Sequence, residues 1–444
     1  MVAPSRDEAS QDGWLEQAVP DAVRALPPRG AVYALVPPRR RMRVRRLLLR
    51  AGLSVEAAVA HVPSGDSPRY LVPLTAASLA RFAALAGARG RLKRLALLAR
   101  LPRLSVLLAL VLPSVGLVAH RGDRSLWDWL RRLDPLLADA EGAVVQATWR
   151  RPVESAVLYP FERAGRAPVV VKVALSERVA AGHAAEALLL DRLGEAARAA
   201  GADVPEVRSA RRSGAGHLLV ETAVTGRSAA TLLAGRPERL ADVVHTVVGW
   251  LLRWNASTQT RAELDWERLE RDVLTPAERL APLLVAGERY RAWLSDRCSR
   301  LRGTPVPLVA AHNDLTAWNV FLDGELPLAV VDWETASEHA LPFFDFSYAV
   351  VDLAAAATRY RDRTVTFDAC FAPGGHLARL VDPLRARLAD ELVVPSELAE
   401  LCFHACWLHH AVNEQDASAG AQRPFLEIVQ RLCKRVVTGE GRRP

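Results

Sequence analysis

Hydrophobic and polar positions follow two different periods along this 444-residue chain. The change from the strand period to the helical period divides the chain into a strand-rich and a helical part. Between residues 141 and 222, short apolar runs show the two-residue period of β-strands. We predict consecutive antiparallel strands, then a helix and two more strands, at 143–150, 155–161, 169–174, 177–200 (the helix), 207–212 and 217–222. After Gly226 the period becomes helical, and we predict helices at 241–254, 267–285 and 288–301. Strands followed by helices indicate an α+β fold of two lobes, with a ligand site in the cleft between them.

Residues 1–140 show a separate alternation of strands and helices. We predict strands at 31–36 and 54–62 and helices at 40–51 and 75–86. This pattern indicates a small N-terminal α/β domain, whose role the sequence does not reveal. An N-lobe at 141–223 and a C-lobe at 224–440 would follow it.

The longest uncharged run, Leu104 to Ala119, is interrupted by Pro113 and has sixteen residues. A membrane-spanning helix needs about 20 apolar residues, so we favour a buried helix or an interdomain contact. A helix lying on a membrane surface is the alternative, because a basic amphipathic stretch precedes the run. A cluster of seven arginines runs from Arg39 to Arg50, both included. We favour a solvated helix face for this cluster over a site that binds phosphate or lipid headgroups.

Composition narrows the class of protein. Half of the residues are hydrophobic and 24% are charged, which indicates a globular chain with a sizeable core. The net charge of +8 favours anionic partners without choosing among nucleotides, acidic lipids and nucleic acid. Five cysteines without a CxxC pair, and an N-terminus without a signal-peptide pattern, predict a reducing, cytoplasmic location.

Two acids and an amide follow neighbouring apolar strands of the predicted C-lobe. Asp314 comes just after the strand 307–311, Asn319 lies five positions later, and Asp332 ends the strand 328–331. Carboxylate and amide oxygens are hard ligands that suit Mg²⁺. Protein kinases use an Asp, an Asn five positions later and an Asp after a following strand for phosphoryl transfer. The spacing here matches the first two and the order matches all three.

Lys172 is the second notable residue, because only three of the 58 basic residues are lysine. It lies within the valine-rich strand 169–174, where burial without a partner would be costly. An ammonium group on a flexible stem reaches phosphate oxygens as a point charge, which indicates nucleotide binding. Glu186 on the following helix is the best candidate for its partner, and Glu177 is the alternative.

Four segments together resemble the aminoglycoside phosphotransferase and choline kinase family, whose members are small-molecule kinases with a protein-kinase-like fold. They are HNDLTAWNVFLD with LAVVDWETA, VVVKVA, HLLVETAVTG and LPFFDFSYAV. The resemblance covers roughly residues 141–420. It implies transfer of the γ-phosphoryl group of ATP, or alternatively GTP, to a hydroxyl of a small molecule. A sugar, an aminoglycoside-like compound or an amino alcohol would fit as the acceptor.

The resemblance also implies roles for individual residues. Asp314 would be the catalytic base, and Asn319 and Asp332 would bind Mg²⁺. Lys172 would contact the α- and β-phosphates and Glu186 would hold it. Backbone groups from Glu221 to Ala223 would meet adenine. His312 and Asp345 would support the loop that carries Asp314.

One segment departs from the family pattern. A glycine-rich loop over the phosphates is expected between the first two strands, but Gln146 to Ser155 contains no glycine. Ser155 and backbone amides remain candidates for phosphate contacts. The rival interpretations are therefore a non-catalytic kinase-like scaffold and, from the run at 104–119 and the arginine cluster, a membrane-associated kinase of a lipid-linked glycan.

Two further features have alternative interpretations. Cys402, Cys406 and His409 or His410 share one helical face, where a buried helix lining the acceptor pocket is favoured over a zinc site. Trp318, beside Asn319, is predicted to pack beneath the loop in preference to stacking on an acceptor ring.

Overall fold

The computed structural model describes most of the chain, namely residues 19–21, 23–26, 31–62, 69–85, 115–122, 125, 127–147, 153–162, 165–166, 168–213, 216–323, 328–417 and 423–439. These residues belong to two compact units. The first unit contains residues up to Ala187 together with Glu206–Ala223. The second contains Leu188–Pro205 and the chain from Val224 onward.

The first unit begins with elements that match the predicted α/β pattern. They are β1 (Ala31–Val36), α1 (Arg41–Arg50), β2 (Ser54–Val62), β3 (Tyr70–Pro73), α2 (Ala76–Leu85), β4 (Val115–His120) and α3 (Asp128–Arg131). The predicted strands at 31–36 and 54–62 and the predicted helices are thereby confirmed. Valines and leucines from one face of this sheet pack against α1 and form a core that includes Val36, Val44, Leu48 and Leu117.

The uncharged run was wrongly predicted to be helical in its last part. Residues 115–119 form most of β4, which pairs with β1 on one side and β2 on the other. A central strand buried on both faces has the same continuous apolar pattern as a buried helix, so the pattern alone does not separate them. The part of the run before Val115 lies outside the described residues.

The remaining elements of the first unit are the predicted antiparallel strands and helix. They are β5 (Gly142–Ala147), β6 (Ser155–Glu162), β7 (Gly165–Arg166), β8 (Val169–Ala174), the start of α4 (Glu177–Ala199), β10 (Val207–Ser213) and β11 (Gly216–Thr222). The short strand β9 (Ala202–Asp203) belongs to the second unit. Leucines and valines of α3, β6, β8 and β11 form a second core that supports β8.

All strands of the first unit pair in one antiparallel sheet, in the order β1-β4-β2-β3-β5-β6-β8-β11-β10, with β7 on β6. The strands before and after residue 140 join where Tyr70 and Leu71 of β3 face Gln146 and Val145 of β5. Sheet pairing thus continues across the boundary predicted at residue 140. The division into domains stays a prediction.

The second unit is mainly helical and includes two small sheets. Its helices are α5 (Ala229–Leu233), α6 (Leu240–Thr258), α7 (Trp266–Leu269), α8 (Thr275–Leu280), α9 (Gly287–Leu301), α10 (Phe344–Ala357), α11 (Arg363–Phe371), α12 (Ala378–Leu392), α13 (Ser396–Ala417) and α14 (Pro424–Thr438). Its strands after β9 are β12 (Arg227–Ser228), β13 (Thr260–Glu263), β14 (Pro305–Ala311), β15 (Val320–Leu322), β16 (Leu328–Val330) and β17 (Ser337–Ala340). The α+β fold class predicted from the sequence is confirmed.

The single helix predicted at 267–285 is wrong, because this segment is not one continuous α-helix. A π-helical segment, Glu270–Leu274, separates α7 from α8, and a 3₁₀ turn at Ala281–Leu283 follows. Pro276 and Pro282 lack the N–H that an uninterrupted α-helical ladder requires, which explains the break.

The two small sheets have the orders β12-β15-β16-β9 and β13-β14-β17. A stack of buried tryptophans packs near them: Trp250 lies 4.8 Å from Trp254, and Trp254 meets Trp333 edge-on at 5.5 Å between ring centres. Among the described residues, none of the helices combines the length and apolarity needed to cross a membrane.

Candidate active site

Strand β14 ends in the loop that carries Asp314. The loop turns sharply, and Asn313 has a left-handed backbone with φ of 63°. The buried carboxylate of Asp345, in the first turn of α10, accepts the N–H of His312 at 2.6 Å and that of Asn313 at 2.8 Å. These two bonds hold the peptide groups immediately before Asp314.

Asn319 and Asp314 are in direct contact. The side-chain amide of Asn319 donates to the Asp314 carboxylate at 3.2 Å and to its backbone oxygen at 2.9 Å. Asn319 then leads into β15, which pairs with β16 so that Val320 faces Val330. Asp332 follows β16 with a left-handed φ of 73°. Short antiparallel strands therefore connect the three residues that the sequence picked out.

Negative charge is concentrated around Asp314. Burial, together with the nearby charges of Asp332 and Asp352, raises its pKa from 3.8 to about 7, although the hydrogen bond from Asn319 acts in the opposite direction. Burial likewise raises the pKa of Asp345, to about 6, although the N–H groups of His312 and Asn313 act in the opposite direction. A cation at this site would relieve the crowding of like charges.

His312 and Trp333 brace the loop from inside. Nε2 of His312 donates to the carbonyl of Val331 at 3.0 Å, and its ring meets the edge of Trp333 at 5.2 Å. Trp333 is fully buried, and its Nε1 donates to the carbonyl of Val330 at 3.0 Å. Both side chains thus fix the end of β16 against the loop that carries Asp314.

The first unit contains the other predicted residues. Lys172 of β8 lies 2.5 and 2.6 Å from the two carboxylate oxygens of Glu186. Glu177, the alternative partner, is exposed and pairs with Arg212 at 3.1 Å. Sequence reasoning missed a second acid on the ammonium group: Glu221 lies 3.6 Å from it. Glu221 faces Val170, two positions before Lys172, so the strand register would have revealed the diagonal contact.

The segments expected to contact nucleotide are placed only in part. Ala223 donates its N–H to the carbonyl of Pro168 at 2.8 Å, so this amide already has a partner within the unit. Ser155 begins β6 opposite Ala174. The centre of the glycine-free loop, at 148–152, lies outside the described residues.

The cysteine and histidine face of α13 is buried. Cys406 donates to the carbonyl of Phe344 at 3.5 Å, and His410 stacks on Tyr348 with 3.6 Å between ring centres. Within the described part of the chain, no group of three or more His, Cys, Asp and Glu side chains is arranged to hold a metal ion. The prediction that Trp318 packs beneath the loop is wrong, because 44% of its surface is exposed.

The chain is similar to a family of known proteins and to several solved structures. The model of the phosphotransferase enzyme family matches residues 159–388. Similar solved structures include the GDP complex of aminoglycoside 2'-phosphotransferase-IIIa, which is 14% identical; the match covers 72% of this chain and 100% of that one, with a TM-score of 0.43. A type VIII aminoglycoside-3'-phosphotransferase is 22% identical over 62% of this chain and 96% of that one, with a TM-score of 0.39.

The aminoglycoside phosphotransferase APH(3'')-Id from Streptomyces rimosus, in complex with ADP and streptomycin, is 16% identical. That match covers 64% of this chain and 98% of that one, with a TM-score of 0.39. None of the curated proteins matches the chain. Because the family model spans more than half of the 444 residues and includes Lys172, Asp314, Asn319 and Asp332, this chain belongs to the phosphotransferase enzyme family.

Proposed function

We propose that this protein transfers the γ-phosphoryl group of ATP, with GTP as the alternative donor, to a hydroxyl group of a small molecule. The observation that carries the proposal is the contact between Asn319 and Asp314, at the end of β14, with Asp332 close enough to raise the pKa of Asp314. A sugar, an aminoglycoside-like compound or an amino alcohol fits as the acceptor. The five cysteines are free thiols, which supports a reducing, cytoplasmic location.

We assign to Asp314 the tasks of positioning the acceptor hydroxyl and accepting its proton. Phosphoryl transfer requires little covalent participation from the protein, so positioning of the acceptor hydroxyl and removal of its proton are the main tasks. A carboxylate whose pKa is raised to about 7 is well suited to accept a proton near neutral pH. The hydrogen bond from Asn319 orients this carboxylate.

Asn319 and Asp332 are the residues that would hold Mg²⁺. Nδ2 of Asn319 is engaged with Asp314, so its Oδ1 is the atom available as a ligand, and Asp332 adds a carboxylate. One or two carboxylates completed by water and phosphate oxygens is the usual set for Mg²⁺, so the residues fit the ion. When bound, Mg²⁺ would neutralise charge on the phosphate oxygens.

Lys172 is assigned to the α- and β-phosphates of the nucleotide. Glu186 and Glu221 hold its ammonium group, which fixes the position of a charge that would otherwise move on a flexible stem. Backbone groups between Glu221 and Ala223 would meet the adenine ring, and because the Ala223 amide donates to Pro168, the carbonyls are the better candidates.

A phosphotransfer screen tests the proposal. Purified protein with Mg²⁺ and ATP or GTP is incubated with a panel of hydroxyl compounds, and products are detected by the mass gain of one phosphate. We expect turnover with at least one acceptor, abolished in Asp314→Asn and retained in Asp382→Asn, which alters an exposed acid of α12. No turnover that depends on Asp314, together with no thermal stabilisation by Mg²⁺-ATP, would favour the non-catalytic scaffold.

The outer face of α1 supports a membrane contact as a second candidate. Met42 and Leu49 are 54% and 44% exposed, and Arg46 and Arg50 are exposed beside them. Apolar side chains flanked by arginines are typical of helices that lie on anionic membranes. Flotation with vesicles containing anionic lipid should recover the protein, and the double variant Met42→Ser/Leu49→Ser should remain unbound. Wild-type protein that does not float would contradict this contact and count against a lipid-linked acceptor.

A further inference from the structure

Asp352 is a buried acid that the proposed chemistry does not use directly. It lies on α10, seven residues after Asp345, and two helical turns place both acids on the same face. Only 1% of its surface is exposed. Its Oδ2 accepts the N–H of Ala317 at 2.8 Å, while Asp345 accepts the N–H groups of His312 and Asn313. The two acids of α10 therefore hold the loop on both sides of Asp314.

Ala317 is fixed through both of its peptide groups. Its N–H is held by Asp352, and its carbonyl accepts the N–H of Ala230 in α5 at 2.8 Å. Ala317 lies two residues before Asn319, whose amide donates to the Asp314 carboxylate. The orientation of this one residue thus limits where the Asn319 side chain can lie, and through it the carboxylate of Asp314.

Asp352 is held by two donors, Tyr360 before α11 and Arg363 at its first residue, and Arg363 balances its charge. Arg363 donates to its Oδ1 at 2.6 Å, and the Tyr360 hydroxyl donates to its Oδ2 at 3.0 Å. The guanidinium group of Arg363 lies 4.8 Å from the ring centre of Phe425, so the arginine is itself held in place. A carboxylate buried to this degree needs such partners, because an uncompensated charge is strongly disfavoured there.

We propose that Asp352, held by Arg363, is a positioning residue for phosphoryl transfer. It acts on the reaction through Ala317 and Asn319, and its own carboxylate is taken up by protein donors. This inference rests on the proposed function. A role confined to stability would reduce the amount of folded enzyme, whereas a positioning role lowers the turnover of enzyme that is folded and has bound nucleotide.

Four variants separate these roles, with the acceptor found in the screen as substrate. Asp352→Ala removes the acceptor for Ala317. We expect its kcat to fall about a hundredfold, since small displacements of catalytic groups cost about that much, while the nucleotide KM changes less than about threefold. Asp368→Ala is the matched control: this acid of α11 pairs with Arg431 and Arg435 and has no hydrogen bond to the loop among those of the described residues.

The conservative variant tests the link through Arg363. Asp352→Asn keeps an oxygen for the N–H of Ala317 but turns an amide donor towards the guanidinium group. Adding Arg363→Met removes that conflict, so the double variant should recover at least about tenfold of the kcat lost in Asp352→Asn. All rates are expressed per folded enzyme, measured by nucleotide titration. Equal kcat in Asp352→Ala and Asp368→Ala, or no recovery in the double variant, would overturn the inference.

Hydrogen exchange gives a readout that does not depend on turnover. If wild-type protein phosphorylates nothing in the panel, the proposed function fails, and exchange of the 312–320 amides decides this inference alone. Faster exchange of that segment in Asp352→Ala but not in Asp368→Ala supports the positioning of the loop by Asp352. Unchanged exchange in Asp352→Ala overturns it.

Discussion

The ammonium group of Lys172 lies between 2.5 and 2.6 Å from both carboxylate oxygens of Glu186, whose side chain is fully buried. Removing one member of a buried ion pair typically costs about 3–5 kcal/mol, because the other charge is left behind. Glu221, at 3.6 Å, offsets part of this loss. We therefore expect Glu186→Ala to lower the free energy of unfolding by about 3 kcal/mol, measured by urea denaturation.

Glu177→Ala is the control for that prediction. Glu177 lies on the same helix, but its side chain is exposed and its partner Arg212 is also exposed. Exposed ion pairs contribute about 0–1 kcal/mol, so this variant should unfold almost as the wild type does. Equal losses in the two variants would show that the Lys172–Glu186 pair has no special weight.

Asp345→Ala should reduce turnover more than binding. The change removes the acceptor of two N–H groups next to Asp314, so the loop can shift. We expect kcat to fall about a hundredfold with nucleotide affinity nearly unchanged. Asp265→Ala, which removes an exposed N-cap acceptor at the start of α7, should cost about 1 kcal/mol of stability and leave kcat unaltered. A fall in nucleotide affinity as large as the fall in kcat would contradict the prediction.

Gly226 packs closely against β15, the strand that follows Asn319. Its φ is 96°, and a Cβ atom there would lie 2.6 Å from the carbonyl oxygen of Leu322 in β15. Gly226→Ala combines a left-handed backbone with a clash against backbone atoms, so we expect a loss of more than about 2 kcal/mol in unfolding free energy.

Gly52→Ala isolates the backbone contribution. Gly52 has a φ of 78° but no atom within 4 Å of the added Cβ, so only the left-handed strain of about 1–2 kcal/mol is expected. The difference between the two variants measures the clash. Similar losses would mean that β15 moves to accommodate the methyl group.

Because His404 is buried, we expect the protein to become less stable at acid pH. Burial lowers its pKa to about 3, and its ring accepts or donates one hydrogen bond with Tyr290 at 2.6 Å. The unfolded chain takes up a proton near pH 6.5 that the folded protein does not, so stability is complete above pH 6.5 and decreases as the pH falls towards 3. The slope is up to about 1.4 kcal/mol per pH unit for this one group.

Urea unfolding at pH 7.5 and pH 5.0 measures this effect. The difference between the two pH values should be about 2 kcal/mol smaller in His404→Gln than in the wild type. His376→Gln, which alters an exposed histidine before α12, should leave the difference unchanged. An unaltered pH dependence in His404→Gln would show that the folded protein accommodates the charged ring.

Local patterns in the sequence determined most of the elements and the core of the candidate site. Short apolar runs predicted β6, β8 and β11. The first four residues of β8 alternate between buried and half-buried positions, whereas β11 has four consecutive buried residues. The five-residue spacing of Asp314 and Asn319 matched the kinase pattern, and the structure adds the hydrogen bond between them on one short loop. Asp345 was placed under that loop by resemblance, and its bonds to His312 and Asn313 agree with that position.

Only the tertiary structure decided which distant residues meet. The pairing of β3 with β5 depends on sheet register between segments more than seventy residues apart, which no local period encodes. Residues 115–119 became a strand because β1 and β2 lie on either side of them. Glu221 and Asp352 have ordinary sequence surroundings. Burial beside Lys172 and Ala317 gives them their roles, because a charge removed from water is stabilised only by the partners that the fold brings to it.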